Sequence, residues 1–221
     1  FICDGHNKKD MRGFYIGRFQ PYHNGHHKMV EAITTEVDEL VLGIGSAGHS
    51  HTQRNPFTAG ERVMMVTKSV ADFDITTYAV PIEDLDRNSV WVSHVQSMSP
   101  TFDVAYSNNP LVIQLFSEAD VEVRQSPMFN RDILKGSTLR DRMVRNKDWQ
   151  SLVPTQVIDV IEEINGIERM RRLGATDTLK DNTEMSETVE NTLNDQIETR
   201  SDDMDENSNP SPNQNPGTTE R

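Results

Sequence analysis

Residues Gly17 to His27 read Gly-Arg-Phe-Gln-Pro-Tyr-His-Asn-Gly-His-His and follow directly on the apolar run Gly13-Phe14-Tyr15-Ile16. The pattern predicts a strand ending in a turn, then a helix whose apolar stripe is carried by Met29, Val30, Ile33 and Val37. A helix start presents unpaired backbone N–H groups and the positive end of the peptide dipole, so it suits an anion. His23 and His26 add hydrogen-bond donors without a permanent charge, and Arg18 adds a fixed one. Taken alone, two histidines three residues apart also suit a surface pair or a metal pair. The strand before them and the amphipathic pattern after them favour the anion. The arrangement reads as a site for a nucleoside triphosphate.

At 221 residues the chain can hold one large domain or two small ones. No apolar stretch is long enough to span a bilayer, and the N-terminus has no secretory apolar region. The single Cys3 excludes an intrachain disulfide framework and a cysteine-based zinc cluster. These features lead us to expect a soluble, cytoplasmic protein with no membrane partner. The net charge of −13 is unevenly placed: residues 174–221 hold 12 acidic and 3 basic side chains. That segment has too little apolar surface to offset chain entropy, so it is expected to be a disordered acidic tail. Residues 1–10 show no periodicity and are expected to be an unstructured N-terminal extension ahead of Met11. Residues 11–173, the expected folded domain, carry 21 acids and 17 bases, with Arg outnumbering Lys 13 to 4. Their acidity argues against nucleic acid as a partner, which would call for a basic face, and hints at adaptation to salt.

From Met11 onward strand-like and helix-like segments alternate. Strands are expected within 37–45, 74–81, 102–106 and 121–124, besides the one ending at Gly17. A helix capped by Thr58 should run through Val63, Met64, Val66 and Val70, with further helices at 88–98, 110–116, 137–145 and 154–164. The expected fold is α/β, a single Rossmann-like doubly wound parallel sheet with C-terminal helices. Ligands of such sheets lie beyond the carboxyl ends of the strands, at the switch in strand order.

The ordered blocks resemble the archaeal-type nicotinamide-mononucleotide adenylyltransferases of the His-x-Gly-His nucleotidyltransferase superfamily. The resemblance rests on Gly17–Pro21 with His23-Asn24-Gly25-His26, Gly45-Ser46-Ala47, Ser50-His51-Thr52 and Asn55–Arg62. It continues through Trp91-Val92, Asn109–Val112 and Asn130-Arg131-Asp132. It covers Met11 to about Leu173 and implies a nucleotidyltransferase fold. The implied activity is attack of the mononucleotide's 5′-phosphate on the α-phosphorus of ATP, giving NAD and pyrophosphate. Such chemistry needs two anions aligned and donors for developing charge, and no nucleophilic side chain.

By the same resemblance, His23, His26, Arg18 and Arg140 are the catalytic group. ATP would be held by Gly17, Arg18, Phe19, His23, His26, Ser137 and Arg140, and nicotinamide mononucleotide by Arg54, Asp84, Asn88 and Trp91. Mg²⁺ would be bound mainly through ATP phosphates, without a dedicated protein metal site. A homo-oligomer, a hexamer by resemblance, is implied. Lys135-Gly136-Ser137-Thr138-Leu139-Arg140 departs from the family's Ser-Gly-Thr-x-x-Arg signature: Lys stands where Ser is usual, and Ser137 replaces Thr. Ser137 is expected to cap the following helix and donate to a phosphate. His49 and His51 are expected to serve loop hydrogen bonding.

Three other readings remain open. A related enzyme could transfer the nucleotidyl group to another phosphorylated acceptor such as phosphopantetheine, differing mainly around Trp91. An aminoacyl-tRNA synthetase fragment shares the His-x-Gly-His signature but requires a tRNA-binding domain and a Lys-rich loop. A non-catalytic ATP-sensing module would bind without releasing pyrophosphate.

Overall fold

The computed structural model describes residues 10–125 and 134–175. The expected N-terminal extension (residue 10 excepted), the Asn130-Arg131-Asp132 block and the acidic tail beyond residue 175 lie outside the described residues.

Five strands, β1 (Arg12–Gly17), β2 (Glu39–Ile44), β3 (Thr76–Pro81), β4 (Val104–Tyr106) and β5 (Glu122–Arg124), form one sheet in the order β3-β2-β1-β4-β5. Every pairing is parallel, with Gly17 opposite Ile44 and Tyr15 opposite Tyr106. The chain steps outward from β1 to β3, then returns to the other side of β1 for β4. The switch in strand order therefore falls between β1 and β4, where ligands of parallel sheets bind.

Alternate residues of the strands feed two cores, as pleating requires. Phe14, Val41 and Ala105 face one side and pack with Val92, Val95 and Phe116 of α3 (Trp91–Met98) and α4 (Pro110–Glu118). Leu40, Leu42, Val104 and Tyr106 face the other side. There they meet α1 (Asn24–Thr34), α2 (Ala59–Val70), α5 (Gly136–Val144) and α6 (Thr155–Glu163). Among the described residues no helix is long and apolar enough to cross a membrane.

Four expectations change. Val37 lies beyond the end of α1, whose C-cap is Thr35, although it still packs into the core. The buried stripe of α2 is Arg62, Met65, Val66, Ser69 and Val70, so Val63 and Met64 stand at its margin, only partly buried. Ser137 does not cap α5: Gly136 is already helical and the N-cap is Lys135, which makes no side-chain capping bond. A further helix, α7 (166–175), follows α6. Its Arg169 donates to both carboxylate oxygens of Glu61 at 2.7 Å, tying it to the first turn of α2.

Candidate active site

β1 ends at Gly17 because the chain folds sharply over its own terminus. A Cβ on Gly17 would stand 2.7 Å from the Phe19 ring, closer than any real contact. Phe19 itself sits at φ +48°, a left-handed conformation that costs a bulky residue about 1 kcal/mol or more. Burial of its ring against Tyr22 and the edge-on face of His26, at centroid distances of 5.5 and 4.8 Å, offsets that cost. Phe19 thus forms the floor beneath His26.

The helix start is closed by the two histidines themselves. His23 is the N-cap of α1, and its Nδ1 accepts the backbone N–H of His26 at 3.4 Å. The Nδ1 of His26 in return accepts the backbone N–H of His23 at 3.3 Å. A ring nitrogen that accepts cannot carry the proton, so each neutral imidazole is left with its proton on Nε2. Burial pushes the His23 pKa from 6.5 down to about 4. It pushes His26 well below its usual value, with the neighbouring His23 adding to the effect. At neutral pH both rings are uncharged donors.

Three guanidinium groups gather around them. Arg140 reaches back from α5, donating through Nε to the Gln53 carbonyl at 3.0 Å and through Nη1 to the Gln20 carbonyl at 2.8 Å. Burial lowers its pKa to about 10, and Arg18 and Arg54 push in the same direction. Arg18 is lowered by burial and by Arg54, against the opposing pull of Asp84. Like charges held near one another, exposed at Arg18 and Arg54 and partly buried at Arg140, leave a demand for an anion. Gln20 fixes the turn they surround: its side chain both donates to the Phe57 carbonyl at 2.9 Å and accepts the Phe57 N–H at 3.0 Å.

Arg18, Phe19, His23, His26, Ser137 and Arg140 line one cavity of about 370 Å³. Gly17, Arg18, His23 and His26 also line a larger one of about 540 Å³, which runs to Ser107–Pro110 beyond β4. A third of about 310 Å³ opens on the other flank of Gly17 and Arg18, walled by Ser46, Glu83, Asp84 and Trp91. Trp91 is held there edge-on to Phe116, with ring centroids 5.4 Å apart. The residues proposed for the triphosphate are therefore brought together, as are Asp84 and Trp91. Asn88 lies exposed in the short 3₁₀ turn before α3 and does not line the Trp91 cavity. Arg54 lines a separate cavity with Ser137 and Arg140, on the cationic side. His49 lies 3.6 Å from an Asp84 carboxylate oxygen, and His51 shares a hydrogen bond with the Ser50 hydroxyl at 2.9 Å.

Sequence reasoning missed two features. The reciprocal cap was hidden because His is not among the usual capping residues. The second is Arg62, wholly buried in the apolar stripe of α2. Its signal was available: position 62 stands three, four, seven and eight residues before 65, 66, 69 and 70.

A parallel sheet with a donor-rich helix start at its switch point is a nucleotide-binding type of α/β domain. The chain belongs to the cytidylyltransferase-like family, whose model matches residues 14–163. It is similar to the nicotinamide-nucleotide adenylyltransferase of Halorubrum lacusprofundi, 74% identical over 76% of this chain and 95% of that protein. It is likewise similar to the same-named protein of Haloarcula marismortui, 63% identical over 84% of this chain and 98% of that one. Among solved structures it resembles a bifunctional NMN adenylyltransferase/ADP-ribose pyrophosphatase from Francisella tularensis, complexed with AMP and a manganese ion. The TM-score is 0.64 at 14% identity, over 80% of this chain and 56% of that one, a likeness of fold.

Proposed function

We propose that this chain joins the AMP moiety of ATP to nicotinamide mononucleotide, giving NAD and pyrophosphate. The observation that carries the residue assignment is the convergence of Arg18, His23, His26, Ser137 and Arg140 on one cavity next to a Trp91-walled one. Both cavities share Arg18, so two anionic substrates can meet across it. The names and near-complete coverage of the relatives support the acceptor.

An oxygen of the acceptor's 5′-phosphate forms a bond to the α-phosphorus of ATP. The bond from that phosphorus to the bridging α–β oxygen breaks, and its electron pair leaves with pyrophosphate. The phosphate is already a competent nucleophile, so the protein's work is alignment and stabilisation of charge. His23 and His26 donate Nε2–H to phosphate oxygens. Arg18 and Arg140 balance charge on the transferring and departing groups, and Ser137 donates its hydroxyl in the first turn of α5. Arg54 serves phosphate charge from the Arg140 side, Asp84 supplies a polar contact beside the acceptor, and Trp91 offers a face to the nicotinamide ring, with Asn88 left outside that cavity. Mg²⁺ bound to ATP oxygens would neutralise part of the triphosphate charge. Among the described residues no group of three His, Cys, Asp or Glu converges on a metal position, and an ion carried by the nucleotide needs none.

The test is incubation with ATP, Mg²⁺ and separate phosphorylated acceptors, with products identified by mass. NAD and pyrophosphate from nicotinamide mononucleotide are expected. A product formed only with phosphopantetheine would overturn the acceptor, and ATP binding without pyrophosphate release would overturn catalysis. We further place the protein in the cytoplasm as a homo-oligomer, a hexamer by resemblance, which light scattering would verify.

A further inference from the structure

Arg62 takes no part in the mechanism above, yet it is wholly buried and bonded to the backbone of residues that line the cavities, Arg18, Gly45 and Ser46. Its guanidinium donates only to backbone carbonyls. Nε reaches Thr58 at 3.2 Å, Nη1 reaches Arg18 at 2.8 Å and Gly45 at 2.6 Å, and Nη2 reaches Ser46 at 3.0 Å. Among the described residues no carboxylate stands within ion-pair distance; Asp84 and Glu61 act on it only from farther away. Burial lowers its pKa to about 10, so it remains a cation at neutral pH.

An unpaired buried cation is costly, and an apolar side chain of similar volume would fill the stripe of α2 without desolvating a charge. Packing alone does not account for an arginine here. What the planar fork does is join two turns that each bear on the site. The Arg18 carbonyl belongs to the turn carrying the phosphate-binding arginine, and its peptide leads into the left-handed Phe19. Gly45 and Ser46 follow β2 and wall the acceptor cavity; Ser46 is itself left-handed, at φ +52°. The Gly45 N–H also donates to the Gly17 carbonyl at 2.9 Å, so Arg62 clamps the ladder where β1 and β2 run out. Only a guanidinium has the fork to hold these carbonyls from one point.

We propose that Arg62 is a positioning residue for adenylyl transfer, fixing the turn after β1 against the turn after β2 so that the acceptor phosphate and the α-phosphorus meet in line. It touches neither substrate. Each half-site can still bind without it, but their mutual register is lost. A misplacement of about 1 Å between reacting groups costs on the order of a hundredfold in rate.

The inference rests on the adenylyl-transfer reading, and the wild-type protein separates the two: no NAD from wild type defeats that reading, not this one. Arg62→Lys keeps the charge without the fork; Arg62→Met keeps the volume without the charge. Initial rates are measured over both substrates, well below the melting temperature, and normalised to folded protein by circular dichroism. Turnover per folded molecule is expected to fall about tenfold to a hundredfold in both variants. The Michaelis constants for ATP and nicotinamide mononucleotide should each stay within about threefold. Wild-type turnover in either folded variant, or a loss confined to Michaelis constants or melting temperature, would overturn the proposal. Failure of both variants to fold would also overturn it, assigning Arg62 to folding alone.

Discussion

The imidazoles of His23 and His26 stack with ring centroids 3.6 Å apart and planes 18° apart, each accepting the other's backbone N–H through Nδ1. One arrangement does two jobs. It satisfies orphan donors at the start of α1, and it commits both remaining ring protons to Nε2. Protonation of either ring would set an Nδ1–H against a backbone N–H, so the cap and the neutral charge state are coupled.

Replacing His26 with Ala should lower turnover about a hundredfold or more, because a donor to the transition state is lost. The reciprocal cap goes with it, so stability should drop by about 1 kcal/mol as well. Steady-state rates and a thermal melt measure the two separately; near-normal turnover would remove His26 from the mechanism.

Acid should weaken the fold in a defined window. An unfolded histidine binds a proton near pH 6.5, whereas folded His23 resists protonation down to about 4. The unfolded state then holds more protons, and stability falls as pH drops from about 6.5 to about 4. Glu61, whose carboxyl is held below its usual 4.5 by Arg169 and the Thr58 cap against the cost of burial, adds a loss only at lower pH. Melting temperature plotted against pH should therefore flatten between 6.5 and 4 in His23→Asn, since Asn caps without titrating. An unchanged slope would contradict the buried neutral pair.

Glu61→Gln should unpin α7 from α2. Removing one partner of this half-buried two-point ion pair should cost about 2 kcal/mol and several degrees in melting temperature. Turnover below the melt should hold, because neither residue lines the cavities around Arg18. A fall in turnover with no change in stability would show that the pair acts on the site.

Trp91→Ala tests the acceptor face. Loss of a stacking partner, worth roughly 1 kcal/mol beyond area burial, should raise the Michaelis constant for nicotinamide mononucleotide several-fold while sparing that for ATP. Equal shifts for both substrates with a lowered melting temperature would make Trp91 a core residue set against Phe116.

The strands were readable because buried parallel strands leave short uninterrupted apolar runs, as in Leu40-Val41-Leu42. The Gly17–His26 junction was readable because its glycine and turn residues meet local backbone demands. What stayed hidden depends on partners distant in sequence. The spacing of Arg62 marks it for the buried stripe of α2, but what its charge does there is legible only when carbonyls from positions 18, 45 and 46 close around it. Ser137 was placed at the N-cap by residue type, but close packing of Gly136 against the Gln20 carbonyl, 3.1 Å from where a Cβ would sit, lets the helix start earlier. Helix α7 escaped notice because its run of arginines obscures Ile167 and Met170, which pack on the core.

The strand order has a further consequence for how such a chain can change. With β1 central, β2 and β3 on one side deliver Ser46, Glu83 and Asp84 to the Trp91 cavity. His23, His26 and Arg140 come from α1 and α5 and form no part of that wall. The acceptor flank is in effect an exchangeable cassette beside a fixed triphosphate cradle. Re-aiming the reaction at another phosphorylated molecule would then be a matter of rewriting a few positions around Trp91, in the segments that follow β2, β3 and β4, with the phosphorus chemistry left undisturbed.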